Sequence, residues 1–285
     1  MSMEIIAQQR CFIGEGPIWN EFNRKLYQVG GGNADEILEI DICKKEVAIR
    51  KLPFCVAAMA FTKQGEMIVS CLDGVYILHD DNSRTPLYDQ KQFDIKLCND
   101  SKVGPDGRFY FGTQSKYFNE SGDEVDGKLY SIDKDGTVRV LLDGFILSNG
   151  FEWSIDERFL YHTDSALGII REYAFNKNEG TLSYTGRELK VRGVDGFTVG
   201  NDNCLYVACW GHSHIAVVDT ADMQIKKYID VPTKIPTSCC FGGEAMDKLV
   251  VVSASCDIDL TVDANAGFTF MCDVGVKGRK PYLFG

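Results

Sequence analysis

Apolar and polar positions alternate along this chain in short runs separated by turn residues, and Leu147–Ser165 (LSNGFEWSIDERFLYHTDS) shows the unit most plainly. Ser148, Asn149 and Gly150 open it with a turn. Phe151–Trp153 is a short alternating segment, Ser154–Arg158 a polar hairpin tip, and Phe159–Thr163 a second strand-like run. Period-two alternation bounded by Asn, Asp, Gly and Ser reads as strand, tight turn, strand. Other tips of the same kind are NEFNRK, TKQGE, GPDGR, DKDG, GNDN and GEAMDK, and almost nothing has a helical period.

Aligning the second strand of each unit on one apolar residue picks out Leu26, Met67, Phe109, Leu160, Leu205 and Leu249, at intervals of about 41 to 51 residues. Four-stranded propeller blades repeat at about this spacing. The long interval holds a polar insertion at Lys116–Asp126. Further strand pairs follow each anchor, beginning with ILEIDI, VYILHD, KLYSID, IIREYAF, HIAVVD and FTFMCDV. The pattern predicts one domain over residues 1–285, an all-β six-bladed β-propeller. An N-terminal strand at Glu4–Phe12 is expected to complete the last blade and so hide two sheet edges. A pair of β-sandwiches is the competing all-β arrangement, and the even spacing disfavours it.

Ten or eleven residues before the anchors stand Glu15, Asn99, Asn149 and Asp195 in four units, with small or apolar residues near Val56–Ala57 and Ser238–Cys239 in the other two. Each alone reads as an ordinary turn residue. Four at one repeat position would meet at the mouth of a central channel, which predicts a central-channel metal site. Two carboxylates and two amide oxygens, without imidazole or thiolate, suit Ca²⁺, Mg²⁺ or Mn²⁺ better than Zn²⁺.

The 285 residues carry a net charge of −11. That disfavours nucleic acid and anionic membranes as partners, since both call for a basic surface. No apolar run is long enough to span a bilayer, and MSMEIIAQQR lacks the pattern of a signal peptide. Eleven cysteines without a CxxC, most of them in apolar runs, read as buried free thiols in a reducing compartment, so a cytoplasmic location is expected. His212 and His214 form an HxH that is expected to decorate a rim or loop. Trp153 and Trp210 read as blade packing, and Cys98 and Cys209 as small buried hydrophobes. There is no GxSxG or HExxH.

GEGPIWN, CNDSKVGPDGRFYFGT, SNGFEWSIDERFLYHTDS, VDGFTVGNDNCLYVAC, PTSCCFGG and GVKG run through nearly the whole chain in order. Together they resemble the SMP-30/gluconolactonase/luciferin-regenerating family, and PTSCCFGG and GVKG are especially close to its animal regucalcin members. The resemblance implies a six-bladed propeller holding one divalent cation, Ca²⁺ first, with Mg²⁺, Mn²⁺ or Zn²⁺ as the others. It makes Glu15, Asn149 and Asp195 the metal ligands, Asn99 a substrate contact and Asp195 the general base. The implied activity is hydrolysis of sugar-acid lactones, so the implied partner is a small lactone or ester. Two positions depart from the pattern. Leu97 stands where regucalcin-like members carry an arginine that grips sugar hydroxyls, and Tyr117 falls where they carry an acid, which Glu120 would replace only if the loop shifts. The other readings are a phosphotriesterase-like hydrolase, a calcium-binding regulator without turnover and a protein-binding scaffold.

Overall fold

The computed structural model describes residues 3–116 and 125–285. Tyr117, Glu120 and most of the insertion lie outside the described residues.

The strands in chain order begin with β1 (Glu4–Ala7). Four-stranded groups follow: β2 (Glu15–Asn20), β3 (Lys25–Gly30), β4 (Glu36–Asp41) and β5 (Glu46–Lys51), then β6 (Val56–Phe61), β7 (Met67–Cys71), β8 (Gly74–Leu78) and β9 (Arg84–Pro86). The third group is β10 (Cys98–Val103), β11 (Phe109–Thr113), β12 (Gly127–Ile132) and β13 (Val138–Phe145). The fourth is β14 (Ser148–Trp153), β15 (Phe159–Asp164), β16 (Ile169–Asn176) and β17 (Thr181–Lys190). The chain ends with β18 (Val194–Val199), β19 (Cys204–Cys209), β20 (His214–Asp219) and β21 (Gln224–Asp230), then β22 (Pro236–Gly242), β23 (Lys248–Ser253) and β24 (Thr269–Asp273). They form six four-stranded antiparallel sheets, the all-β six-bladed β-propeller that the repeat predicts. All six anchor residues lie on the second strand of their blade.

The turns form where a short polar side chain replaces a backbone partner. Asn20 Oδ1 accepts from Phe22 N (2.8 Å), Asp81 from Ser83 N (2.9 Å), Asp135 from Thr137 N (3.0 Å), Asp222 from Gln224 N (3.1 Å) and Asp273 from Gly275 N (2.8 Å). These are Asx turns, each holding a tip at the end of a strand. Much of the acidic excess is therefore used in turns, which weakens net charge as a pointer to a cation site.

The chain divides into two compact units. The first, Met1–Cys55 with Val191–Pro281, holds the blades β2–β5, β18–β21 and β22–β24. Its third blade is completed by β1, which pairs with β24 through Glu4↔Met271, Ile5↔Phe270 and Ala7↔Thr269. The strand stops at Ala7, short of the expected Phe12, because the chain then leaves the edge to reach β2: Cys11 N donates to Gly267 O and Gly14 N to Ser253 O. A core of Ile6, Trp19, Leu26, Leu38, Tyr206, Phe241, Leu249 and Phe270 fills this unit.

The second unit, Val56–Lys190 with Tyr282–Gly285, holds the other three blades. Trp153, fully buried as expected, lies edge-on to Tyr110 (4.8 Å), Phe151 and Phe175 (5.9 Å each). Edge-to-face rings of this kind lock β10–β13 against β14–β17.

Candidate functional site

Each blade's first strand carries one residue more than its partner near its start. The register slips between Glu15 and Ile18, Val56 and Ala58, Cys98 and Ser101, Asn149 and Phe151, Val194 and Phe197, and Pro236 and Ser238. Bulges re-aim side chains and often border active sites. Trp19, Phe61, Val103, Trp153, Val199 and Phe241 pair with the six anchors. Four residues before them stand Glu15, Ala57, Asn99, Asn149, Asp195 and Thr237. Glu15, Asn99, Asn149 and Asp195 thus share one register position beside a bulge. In the sixth blade the residue is Thr237, not Ser238–Cys239, because the turn between β22 and β23 is longer there and shifts a count made from the anchor.

In the first unit Glu15 is half-buried and its Oε2 accepts from Gly16 N at 3.1 Å. Asp195 is 5% exposed. The intervening blade offers Thr237, whose hydroxyl donates to Gly14 O and so ties β22 to the start of β2. Gly196 follows Asp195 because β22 passes too close for a side chain: a Cβ there would sit 2.1 Å from Ser238 Oγ. Cys209, opposite Val194 in the ladder, is fully buried. Burial pushes its thiol up to about 11, opposed by a backbone bond from Ala216 and reinforced by the Asp195 charge. Its Sγ–H donates to Val207 O at 3.6 Å, and the candidate donors of this unit, Glu15 and Asp195, are carboxylate oxygens of the kind a hard divalent cation takes.

In the second unit Asn149 is 9% exposed, and its Oδ1 accepts from Gly150 N at 3.0 Å. Asn99, half-buried, donates Nδ2–H to Ser148 O at 3.0 Å. That bond ties the two amide-bearing strands together and leaves Oδ1 as the branch of the Asn99 amide for a ligand. Leu97 precedes Asn99 in a left-handed conformation, φ +57°.

Three features of this unit are not evident in the sequence. Asp100, next to Asn99, has a buried Oδ2 without a hydrogen-bond partner, while Oδ1 accepts from Ser101 N at 2.8 Å. Burial raises its carboxyl above the usual range, with Lys102 pulling it back. Lys102 itself pairs with Glu152 at 3.1 Å. The third feature is a Ser–His pair. Ser148 Oγ lies 2.8 Å from His162 Nε2, both residues essentially without exposure, and the His162 ring lies 4.5 Å from the Phe145 ring. Burial, and then the charge of Arg171, push this histidine down to about 3. A serine sealed in this way cannot reach a substrate, so the pair is structural. The CND motif was the available signal for Asp100. Ser148 and His162 are fourteen residues apart and become neighbours only through the β14–β15 ladder.

His212 lies in the β19–β20 turn and His214 begins β20; their rings are 6.0 Å apart, and His214 is 4.4 Å from the Tyr228 ring. They belong to a loop and a strand start. Among the described residues no three His, Cys, Asp or Glu side chains gather as a metal-binding group. Trp210 lies in the β19–β20 turn and is 37% exposed, where blade packing was expected to bury it. The eleven cysteines are free thiols, Cys43 exposed. Among the described residues no helix is long and apolar enough to cross a membrane.

The family model described as SMP-30/Gluconolactonase/LRE-like region matches residues 13–255. The chain belongs to this family. Regucalcin of Danio rerio is 28% identical over 294 residues, covering all of this chain and 98% of its own. Among solved structures, a calcium-binding protein, regucalcin, from Agrobacterium tumefaciens superposes with a TM-score of 0.88 at 22% identity, over 100% of this chain and 97% of the other. XC5397 from Xanthomonas campestris, a gluconolactonase, superposes with a TM-score of 0.74 at 18% identity, over 97% and 89%. At such identities the superpositions show the fold alone.

Proposed function

We propose that this family member is a metal-dependent lactonase, opening lactone rings with water, and that Glu15, Asn149 and Asp195 hold one divalent cation, Ca²⁺ first. The observation that carries the reading is the shared register position of Glu15, Asn99, Asn149 and Asp195, each placed beside a bulge by its own blade. The family model, which covers SMP-30 and gluconolactonase, supports the choice of substrate.

A divalent cation bound there would supply Lewis-acid polarisation of the ester carbonyl and a lowered pKa for water. Asp195 is assigned to take the proton of the attacking water as its oxygen bonds to the carbonyl carbon. The ring C–O bond breaks, and the same proton returns to the leaving alkoxide. Asn99 is assigned to orient the substrate through Oδ1, since its NH₂ is held by Ser148 O. No covalent nucleophile is assigned: Ser148 is sealed in and Cys209 is held as a thiol.

A second reading is calcium binding without turnover, the property named for the Agrobacterium regucalcin. Protein stripped with chelator and supplied in turn with Ca²⁺, Mg²⁺, Mn²⁺ or Zn²⁺ separates the two. Proton release from gluconolactone that appears with one cation supports the lactonase. Tight cation binding with no turnover of any lactone or ester supports the binding protein.

A further inference from the structure

Among the described residues, the mouth end of the second unit carries a strip of leucines between its charged side chains. The ladders Val56↔Cys71, Cys98↔Thr113 and Asn149↔Thr163 place the β7–β8 and β15–β16 turns and the end of β11 at the same end as the starts of β6, β10 and β14. Asn99 and Asn149 stand at this end. So do Leu72 (52% exposed), Leu167 (46% exposed), Val125 and the half-buried Leu97 and Leu147. Among the described residues, the unit's other exposed large hydrophobics, Val140 and Tyr184, lie on outermost strands, and the turns at the opposite end carry none.

Backbone bonds join these residues into one strip. Leu97 N donates to Leu72 O (2.7 Å), and Gln114 N donates to Leu97 O (3.0 Å). Gln114 bridges to Leu147, and Ser165 N donates to Leu147 O (3.1 Å), two residues before Leu167. The two bonds hold Leu97 in its left-handed conformation, which a non-glycine residue adopts at a cost of about 1–2 kcal/mol. Three cations at this end face carboxylates: Arg84 pairs with Asp73 (2.7 Å), Lys96 with Asp94 (3.1 Å) and Lys116 with Asp126 (3.4 Å). A rim of leucines two residues from Asn99 offers contact to methylene groups and little to hydroxyls.

We infer that the substrate class is a lactone carrying an aliphatic chain, with the ring at Asn99 and the chain along Leu72, Leu97, Leu147 and Leu167. This rests on the lactonase reading and narrows it. An exposed apolar strip continuous with a polar site matches a ligand with an apolar tail and a polar head.

The test is proton release from γ-lactones with alkyl chains of increasing length, beside gluconolactone, with each divalent cation supplied in turn. The expected result is a kcat/KM that rises by about threefold per methylene over the first several carbons. The slope should fall by half or more in Leu72→Ser and in Leu97→Asn, two substitutions the local backbone accepts, Leu72 being exposed and Asn tolerating the left-handed region. Turnover of gluconolactone with no gain from chain length overturns the inference and leaves the lactonase intact. Turnover of no lactone at all overturns both.

Discussion

Asn99 donates its side-chain NH₂ to the carbonyl of Ser148 at 3.0 Å, joining β10 to β14 beside their bulges. The bond fixes which face of the amide is offered to a ligand. Asn99→Asp has no donor to give to Ser148 O and adds a charge. It should cost about 1–2 kcal/mol in stability, read from the urea midpoint at constant slope. It should also lower kcat/KM by at least tenfold. A variant with wild-type kinetics would remove Asn99 from the site.

His162 gives a pH signature. Its pKa is about 3 in the folded protein, against about 6.5 when unfolded. The unfolded chain therefore binds the extra proton first as pH falls. The stabilisation is complete above pH 6.5 and is lost progressively as pH drops from 6.5 toward 3, on the order of 5 kcal/mol in all. In Ser148→Ala/His162→Phe, which removes both partners of the buried bond, the urea midpoint should depend less on pH between 6.5 and 4 than it does in the wild type.

Glu172 is buried and accepts from Arg187 Nη1 (2.7 Å), Tyr161 OH (3.2 Å) and Thr185 Oγ1 (3.0 Å). Removing the arginine leaves a buried carboxylate without its counter-charge. Arg187→Met should destabilise by about 3–5 kcal/mol, and adding Glu172→Gln should recover part of the loss. Thermal unfolding of the single and double variants measures the coupling.

The blades were legible because a half-buried strand imposes a two-residue period and a tight turn demands Asp, Asn or Gly. The repeat position of Glu15, Asn99, Asn149 and Asp195 followed from the same periodicity, and the bulge beside it did not. An inserted residue leaves no mark in a pattern of polar and apolar letters; it appears only as a slip in pairing, as between Asn149 and Phe151. The count landed on Ser238 and not Thr237 for a different reason, the longer β22–β23 turn between Phe241 and Leu249. The Ser148–His162 bond and the exposure of Trp210 depend on which neighbour a strand or turn meets, and alternation alone does not carry that information.

The central claim is that Asp195 serves as general base as well as cation ligand. The direct test is Asp195→Asn, with cation affinity followed by calorimetry and lactone turnover followed by proton release on the same preparation. Asparagine keeps an oxygen for the cation and loses the base. The account predicts measurable cation binding, weakened by about ten- to a hundredfold, and a turnover reduced by at least a hundredfold with the cation saturating. Wild-type turnover in the cation-loaded variant would contradict it.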